Sequence, residues 1–579
     1  MREDELTQQF RAALADAVAE RFGPAGLADL DIQLANTPEP AVGDLGFGCF
    51  PLAKLLRRSP KDLAERLAPA LRLPPPFREA RAVGPYLNLF LDRPAFLAEL
   101  CREILGAGRA YGNASVGQGR RIVLEFSSPN TNKPQHLGHI RNNVLGMALA
   151  GLLEASGYDV VKVSLINDRG IHICQSMLAY QRWGRGETPD SAGRKGDHFV
   201  GDYYVRFARE AENDPSLAAE AQELLRRWEQ GDPEVVSLWK TMNGWVYQGF
   251  EETYRRLGVA FDRVYYESQT YGLGRDIVLH ALDAGRCQRL PDGAVEVDLS
   301  DEGLGTKALL RRDGTSIYIT QDFGTAVRRF EELRPERLYY VVGSEQIHHF
   351  KLLFAILRRF GYPWAERCRH ISYGMVYLPE GKMKSREGRV VDADDLLDEV
   401  EALSAQAIRD KHPELAPDEL EARKRQIALG AIKFYLLAVN LEKDISFDPA
   451  ASVSFEGDTG PYIQYSHTRI CGILRKAAER PIPPPDFGQL GTDDELALGL
   501  LLLRFPRAVR EAAESCNPAR LAGHVLETAR SFAQFYHDHP VLQAESPGLV
   551  AARLELCRAV QIVLQRGLQL LGIEAPEQM

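Results

Sequence analysis

The stretch HLGH contains two histidines, with a leucine and a glycine between them. Histidine and glycine are residue types that can take part in catalysis or ligand binding. The stretch places His136, Gly138 and His139 between a strand-like run at 121–127 and a helix-like run at 139–156. Three kinds of site fit this arrangement: a zinc site, a phosphate site at the N-terminus of a helix, and a helix start whose histidines have no chemical role. The rest of the chain has to distinguish among them.

A phosphate site makes use of all three residues. The first N–H groups of a helix have no partner within the helix and carry a partial positive charge. A glycine at position 138 lets a phosphate or a flat adenine ring approach the backbone. Each imidazole can donate a hydrogen bond that strengthens as negative charge develops on a phosphate oxygen.

A zinc site needs more ligands than this stretch provides. Two histidines would require a third and a fourth ligand, and HLGH does not contain the glutamate of the HExxH metalloprotease helix. The eight cysteines are widely spaced along the chain and form no CxxC pair. We therefore expect reduced thiols, no structural zinc and no tightly bound cofactor.

The elements around the motif predict a parallel sheet. RIVLEFS is a buried strand pattern, the run at 139–156 is an amphipathic helix pattern, and YDVVKVSLI is a second strand pattern, which together make a βαβ unit. Further strand-like stretches are found at 316–320, 337–343 and 369–378. They predict a Rossmann-like α/β domain, and the polar, mainly helical residues 184–285 predict an insertion in it.

Two other units flank the predicted sheet. The first begins the chain and contains a helix pattern starting at Ser59 and Pro60, whose basic neighbours form either a solvated face or a face that contacts RNA. The second is rich in helix patterns, one opening with a capping box at Thr492 and Glu495. We predict an N-terminal α+β domain at 1–112, a Rossmann-like α/β domain at 113–400, and a C-terminal all-α helical bundle at 401–579.

The composition is that of a soluble globular protein. The chain has 579 residues, of which 45% are hydrophobic and 26% charged, and a net charge of −10 that still permits local basic patches. MREDELTQQF has no apolar core of a secretory signal, and the apolar run LALGLLLL is too short to span a bilayer. We expect a cytoplasmic protein without a membrane partner, and, since no heptad seam is visible, a monomer.

The longer frame of the motif carries a resemblance to a known family. HLGH resembles the HIGH signature of class I aminoacyl-tRNA synthetases and related nucleotidylyltransferases, and EFSSPNTNKPQHLGHIRNN resembles the frame found in arginyl-tRNA synthetases. Other stretches similar to that family follow in order, among them INDRGIHICQSM, DGTSIYITQDFGTA, RLYYVVGSEQIHHFKLLF, GKMKSREGRVVDADDLLDE, DTGPYIQYSHTRI and LLGIEAPEQM. GDLGFGCFPLAK and VGPYLNLFL are similar to its N-terminal domain, so the resemblance spans nearly the whole chain.

The resemblance implies an activity and its site. Members use ATP, bound with Mg²⁺, to activate L-arginine to arginyl-adenylate, and then transfer the arginyl group to the 3′-terminal adenosine of tRNA(Arg). It implies that His136, Gly138 and His139 contact ATP, that 1–112 is an additional tRNA-binding domain, and that 401–579 binds the anticodon. The arginine-binding residues it implies are Tyr318, Asp322 and Glu125 for the guanidinium, and Asn130 and Gln346 for the amino-acid backbone.

Aromatic and imidazole side chains in the C-terminal unit are candidates for contact with tRNA. Tyr462, Tyr465 and His467 follow Pro461 in a helix pattern, with basic residues beyond them. Unstacked RNA bases are bound by such groups, while core packing is the alternative role for the tyrosines.

The second signature loop of the class departs from its usual sequence. The usual loop is Lys-Met-Ser-Lys-Ser, and without a gap Lys382 and Met383 match it, Lys384 falls on the serine, and Ser385 falls on the second lysine. Family members that lack this lysine resemble the present chain in having a lysine upstream of the histidines, here Lys133. We predict that Lys133, Lys382 and Lys384 are catalytic cations, and that Lys382, Met383 and Ser385 bind ATP. A one-residue deletion that restores Lys384 to the lysine position is the alternative alignment.

Two other functions are alternatives to this one. A small-molecule adenylyltransferase with an HxGH motif would be shorter and would not need the two flanking units. A tRNA-binding protein without catalysis would not need His136, His139, Tyr318 and Asp322 together. The family resemblance further implies that activation of arginine requires bound tRNA.

Overall fold

The N-terminal unit is an antiparallel sheet packed against helices. The computed structural model describes residues 3–24, 26–379 and 391–579. The elements of this unit are α1 (Glu3–Phe22), β1 (Ala35–Asn36), β2 (Leu45–Gly48), α2 (Phe50–Leu56), α3 (Pro60–Leu67), β3 (Phe77–Val83), β4 (Tyr86–Leu91) and α4 (Arg93–Ala107). The strands lie in the order β1-β2-β4-β3. The predicted helix is α3, and Ser59 occupies its N-cap position without a side-chain hydrogen bond.

The central unit is the predicted parallel sheet with helices on both faces. Its first half consists of β5 (Arg121–Glu125), α5 (Leu137–Ala155), β6 (Asp159–Ile166), α6 (Ile171–Trp183), α7 (Pro189–Ala192), α8 (Gly196–Asn213), α9 (Ser216–Glu229), α10 (Pro233–Leu257), β7 (Arg263–Tyr266), α11 (Glu267–Thr270) and α12 (Leu273–Asp283). Its second half consists of β8 (Gln288–Arg289), β9 (Val295–Leu299), β10 (Gly305–Leu310), α13 (Tyr318–Leu333), β11 (Arg337–Gly343), α14 (Ile347–Arg359), β12 (Cys368–Tyr373) and β13 (Val376–Tyr377).

The strand order of this sheet determines where a ligand can bind. The five strands lie in the order β12-β11-β5-β6-β7, and every neighbouring pair is parallel. After β5 the chain extends the sheet on one side, and β11 then begins the other side. Such a switch point opens a crevice at the carboxyl ends of the two strands, here beyond Glu125 and Gly343.

Alternate residues of β5 are buried in different cores. Ile122 and Leu124 belong to a cluster that extends from Leu6 in α1 to Ile573 near the C-terminus. Val123, between them, belongs to a second cluster on the other face of the sheet. The near-continuous hydrophobic run of the strand therefore covers both faces, as expected for a parallel sheet buried on both sides.

Two predictions for the central unit were incorrect in detail. The stretch 316–320 is not a strand, because α13 begins at Tyr318. Its short apolar alternation continues into a helical period in which Ile319, Phe323 and Ala326 are buried. In addition, β7 lies within the stretch predicted as a helical insertion, yet it pairs with β6 and completes the main sheet.

The C-terminal unit is helical. Its elements are α15 (Ala393–Lys411), α16 (Pro417–Leu437), β14 (Ile445–Ser446), α17 (Pro449–Ser452), α18 (Gly460–Ala478), α19 (Asp493–Ser515), α20 (Ala519–Asp538) and α21 (Pro547–Leu570). The short β14 pairs with β13, so one strand follows position 400, where none was expected. The capping box of Thr492 and Glu495 at the start of α19 is confirmed.

Within the described ranges, no helix combines the length and the apolar character needed to cross a bilayer.

Candidate active site

The two histidines of HLGH cap the N-terminus of α5 reciprocally. The backbone N–H of Gly138 donates to Nδ1 of His136 at 3.1 Å, and the backbone N–H of His136 donates to Nδ1 of His139 at 3.2 Å. Because Nδ1 of each neutral ring accepts a hydrogen bond, its proton is on Nε2. The ring centroids are 3.9 Å apart. The cap therefore fixes two adjacent Nε2–H donors at the positive end of a helix.

Both rings are uncharged at neutral pH. Burial, with a smaller effect of the Lys133 charge, lowers the pKa of His136 to about 4. Burial, followed by His136 and Lys133, lowers the pKa of His139 well below its usual value. Neutral donors of this kind can bind phosphate oxygens without a proton transfer, which fits the phosphate-site interpretation.

Lys133 provides a positive charge that acts on both rings. Its ammonium lowers the pKa of both histidines, so its charge is felt at the two rings. The residue is half-buried in the loop that leads to α5. Lys382, Met383, Lys384 and Ser385 lie outside the described residues, so their predicted roles stay predictions.

A cleft beside the switch point brings together part of the predicted arginine site. It has a volume of about 950 Å³ and contains both Asn130 and Tyr318 in its lining. Tyr318 stands in the first turn of α13 with 73% of its surface exposed. Asp322 follows one turn later, and its Oδ2 lies 2.6 Å from Nε2 of His349. Residues four apart share a helix face, so Tyr318 and Asp322 point to the same side of α13.

Glu267 is a carboxylate of this cleft that the sequence analysis missed. It is the first residue of α11, directly after β7, and lines the cleft with Asn130 and Tyr318. Its pKa is raised to about 7, chiefly by burial; the charge of Arg169 opposes this shift, and the charges of Asp322 and Asp168 contribute to it. A carboxylate directly after a parallel strand was the available signal, but β7 was hidden in the stretch interpreted as an insertion.

Two members of the predicted arginine set are placed differently. Glu125 is buried at the end of β5, where it forms an ion pair with the fully buried Arg329 and accepts from Oγ of Ser128 at 3.3 Å. Gln346 is exposed in the turn after β11. Neither is part of the cleft lining around Tyr318, whereas both lie at the carboxyl ends of the two strands that flank the switch point.

The tRNA candidates of α18 are divided between surface and core. Tyr465 is half-buried and accepts a hydrogen bond from Nη2 of Arg469 at 3.1 Å. The ammonium of Lys411 lies 5.1 Å from the centre of the Tyr465 ring, and Arg469 also lies 5.6 Å from the ring of Tyr536, whose surface is 36% exposed. These four residues form what we call the Tyr465 surface, which combines aromatic rings with positive charge; Tyr536 was not singled out from the sequence.

His467 does not belong to this surface. It is completely buried, and its Nδ1 donates to the carbonyl oxygen of Pro576 at 2.9 Å. The prediction that His467 contacts tRNA is therefore wrong: the side chain holds the C-terminal segment. Tyr462 is half-buried against the main core, which supports the packing alternative for that tyrosine.

An exposed aromatic pair lies on the N-terminal unit. Phe50 and Tyr86 are 53% and 44% exposed, and their rings meet edge to face at 5.8 Å. Lys54 and Arg57 follow Phe50 in or just after α2. Exposed rings beside basic residues are typical of surfaces that bind unpaired bases.

Three family models match successive parts of the chain. The model described as arginyl tRNA synthetase N terminal domain matches residues 4–91, that of tRNA synthetases class I (R), catalytic domain, matches 101–448, and that of the DALR anticodon binding domain matches 463–579. The chain belongs to the class I arginyl-tRNA synthetase family. The family resemblance of the sequence motifs and the predicted fold class are thereby confirmed.

Relatives of known name support the same arginyl-tRNA synthetase assignment over the full length. The arginine–tRNA ligase of Treponema pallidum is 44% identical over 587 residues, which cover 99% of this chain and 100% of that protein. That of Parabacteroides distasonis is 42% identical over 598 residues, with the same coverage of 99% and 100%. The solved arginyl-tRNA synthetase of Thermus thermophilus superposes with a TM-score of 0.80 at 30% identity, covering 99% of this chain and 100% of that one. A match of this length is not expected for a short adenylyltransferase.

Proposed function

We propose that the crevice between β5 and β11 carries out both steps of arginyl-tRNA synthesis with the residues described above. In the first step a carboxylate oxygen of L-arginine attacks the α-phosphorus of ATP, supplied as its Mg²⁺ complex, and pyrophosphate leaves. In the second, a hydroxyl of the 3′-terminal adenosine of tRNA(Arg) attacks the arginyl carbonyl, and AMP leaves. The observation that carries this proposal is that the two fixed Nε2–H donors follow the loop whose Asn130 and Asn132 line a cleft together with Glu267 and the exposed Tyr318.

His136 and His139 stabilise charge on the phosphates of ATP. Their Nε2–H groups donate to phosphate oxygens, and the hydrogen bonds strengthen as the phosphorus gains its fifth oxygen. Because both rings are neutral, no proton has to move when the pyrophosphate forms. Lys133 adds a positive charge on the same side. No covalent intermediate with the protein is required, so catalysis rests on positioning and electrostatics.

Gly138 keeps the first histidine in place. A Cβ atom at this position would lie 2.9 Å from Cε1 and 3.0 Å from Nδ1 of the His136 ring. Any side chain at 138 would therefore push the ring out of the cap. The glycine has this steric role in addition to leaving the backbone open to ATP.

The guanidinium of arginine binds between Asp322 and Glu267, with the Tyr318 ring beside it. A planar, permanently charged fork is best satisfied by carboxylates, and Glu267 provides a second one at the cleft. Asn130, which also lines the cleft, takes the amino-acid backbone together with Gln346. Glu125, predicted for the guanidinium, is paired with Arg329. A site built on such a fork rejects an analogue that lacks it by a factor of about 10⁴–10⁵, so lysine is not expected to need editing.

The Tyr465 surface of the C-terminal unit binds the anticodon, and the Phe50–Tyr86 pair binds another part of the tRNA. Both surfaces offer rings on which unstacked bases can stack and cations for the phosphate backbone. We propose that residues 1–112 are an additional tRNA-binding domain, that residues 113–400 carry out the reaction, and that residues 401–579 bind the anticodon. The monomeric state and the cytoplasmic location remain proposals, which light scattering and cell fractionation test.

Exchange of labelled pyrophosphate into ATP tests the proposal. The assay is run with arginine, lysine or no amino acid, each with and without tRNA(Arg). We expect exchange only with arginine and only when tRNA is present. Exchange with another amino acid would contradict the assigned guanidinium site, and arginine-dependent exchange without tRNA would contradict the tRNA requirement. Formation of arginyl-tRNA is measured in parallel.

A further inference from the structure

A cluster of charged side chains joins two helices of the polar stretch to the start of α15. The ammonium of Lys195, just before α8, donates to Oδ2 of Asp394 at 2.7 Å, to Oδ2 of Asp197 at 3.0 Å and to Oγ1 of Thr253 in α10 at 2.6 Å. Nε2 of His198 lies 3.3 Å from the same oxygen of Asp394. We call Lys195, Asp197, His198 and Asp394 the Lys195 cluster.

The cluster is built into tight packing. The Asp197 side chain is completely buried, and a Cβ atom at Gly249 in α10 would lie 2.3 Å from its Oδ1. This glycine therefore permits α8 and α10 to approach closely enough for the cluster to form. A buried aspartate needs a cationic partner, and Lys195 provides it.

Asp394 lies directly beside the segment that contacts the histidine motif. The backbone N–H of Leu137 donates to the carbonyl of Val391 at 2.9 Å, and the N–H of Ala393 donates to the carbonyl of Gln135 at 3.0 Å. These two bonds form an antiparallel bridge between His136 and Asp392. The segment 391–393 is thus bonded to the backbone of the residues that present the Nε2–H donors.

The contacts within the cluster favour the charged forms of Asp394 and His198. Burial alone would raise the pKa of Asp394, but hydrogen bonds from His198 and Lys195 and the charge of Arg256 hold it well below its usual range. The hydrogen bond to Asp394 raises the pKa of His198, with Asp392 and Asp197 adding to the effect while burial and Lys195 oppose it. Two more carboxylates, Asp398 and Glu401, accept from Arg256 at 2.6 and 3.1 Å.

A metal site is the alternative for these residue types. Asp197, His198 and Asp394 each have a ligand atom within 4.8 Å of the others. However, the ammonium of Lys195 lies between the two carboxylates, 3.0 Å from one and 2.7 Å from the other. The cation that the carboxylates require is therefore a side chain, and the arrangement is an ion-pair cluster.

We propose that Lys195, Asp197, His198 and Asp394 form a positioning site for arginine activation, which holds the segment 391–393 against the histidine motif and so fixes the Nε2–H donors toward ATP. None of the four residues contacts the reacting atoms; they act through the bridge between His136 and Asp392. The inference rests on the proposed role of the histidines in binding ATP. It assigns a function to two helices of the stretch 184–285 that the reaction itself does not require.

Substitutions that keep the size of the side chain test the proposal. In His198→Gln the amide still donates to Asp394 but cannot become charged. We expect a higher KM for ATP and a lower kcat in tRNA-dependent exchange, by about tenfold to a hundredfold in kcat/KM, since a small misplacement far from the chemistry has effects of this size. The KM for arginine is expected to stay unchanged. General loosening of the structure would instead raise both KM values.

The pH profile separates positioning from a purely structural role. His198 is charged below its raised pKa and loses that charge as the pH rises through it. The ratio of kcat/KM for ATP between the unmodified protein and His198→Gln is therefore expected to be largest at a pH below the raised pKa of His198 and to approach one as the pH rises above that pKa. A ratio that does not change with pH would overturn the assignment to His198.

Three further variants complete the experiment. Lys195→Met removes the shared cation, and Lys195→Arg is expected to restore most of the activity. Asp398→Asn is the matched control, since its carboxylate contacts Arg256 but neither Lys195 nor His198; it should leave exchange unchanged. Thermal unfolding is measured for each variant, and if Lys195→Met does not fold, His198→Gln decides. Normal exchange by the unmodified protein with an unchanged KM for ATP in His198→Gln would overturn this inference and leave the proposed function intact.

Discussion

Oδ2 of Asp322 lies 2.6 Å from Nε2 of His349. One of the carboxylates assigned to arginine therefore also accepts a hydrogen bond from an imidazole. The hydrogen bond raises the pKa of His349, with burial opposing it. When a guanidinium binds to Asp322, the positive charge on His349 becomes unfavourable and its proton is released. Arginine and a proton therefore compete for the same carboxylate.

The KM for arginine is predicted to fall as the pH rises from about 6 to about 8. Glu267, whose pKa burial raises to about 7, is uncharged below that pH and carries its charge above it. Loss of the His349 proton acts in the same direction. Initial rates of exchange at saturating ATP measure the effect. A KM that increases over this range would contradict the assignment of Glu267.

The variant Glu267→Gln is predicted to raise the KM for arginine about 30-fold to 5000-fold, since removal of one partner of a buried charge pair costs about 2–5 kcal/mol. Much of the pH dependence should disappear, with the part due to His349 remaining. Asp283→Asn, an exposed carboxylate at the end of α12, is the control. An equal effect in both variants would show a general electrostatic influence rather than contact with arginine.

The variant Gly138→Ala is predicted to lower kcat of activation by about tenfold to a hundredfold, because the new methyl group displaces the His136 ring. Tyr318 and Glu267 are not affected, so the KM for arginine should stay the same. Gly106→Ala in α4 is the control, since a Cβ there meets nothing within 4 Å. Unchanged activation in Gly138→Ala would mean that the His136 ring tolerates the displacement.

Lys133→Ala is predicted to lower tRNA-dependent activation more than Lys384→Ala. The charge of Lys133 already acts on both histidines, whereas Lys384 falls on the serine position of the ungapped signature loop. The two variants are compared in the same exchange assay. Equal or reversed effects would favour the alignment with a one-residue deletion.

Tyr465→Ala with Tyr536→Ala is predicted to raise the KM for tRNA by about 5-fold to 100-fold, because stacking of a base is worth about 1–3 kcal/mol. His467→Ala is the contrasting variant. Its side chain is buried and bonded to Pro576, so it should lower the melting temperature while the folded protein keeps its KM for tRNA. A rise in the KM for tRNA that is confined to His467→Ala would contradict the placement of the Tyr465 surface.

The spacing of apolar residues in the sequence predicted most of the strands and helices of the central unit. β5, α5, β6 and β11 have long apolar periods of the correct length, and each was found within a few residues of its expected bounds. The stretch at 316–320 failed because five residues alternate equally well in a strand and at a helix start. The longer period that includes Phe323 and Phe330 decides in favour of the helix.

The candidate site was predictable where a motif is local in the chain. The histidines proposed to bind ATP, and Tyr318 with Asp322, are such cases. Glu267 was missed because β7 is only four residues long and follows a long polar helical stretch, so neither the strand nor the carboxylate after it stood out. His467 was misplaced because an aromatic and polar helix has the same composition whether its imidazole is exposed or bonded to a buried carbonyl.

The reciprocal cap at the start of α5 requires two things of each histidine, an acceptor near the backbone and a donor at the position of Nε2. Asparagine could supply the acceptor that the cap needs, but its amide is too short to reach the position of Nε2. Glutamine could reach that position, but it would leave the backbone N–H at the cap without its acceptor. The imidazole provides both groups, because its Nδ1 accepts the backbone hydrogen bond of the cap and its Nε2–H is the donor. The helix therefore sets the tautomer of the two histidines as it folds, so a substitution that breaks the cap also removes the fixed Nε2–H donors.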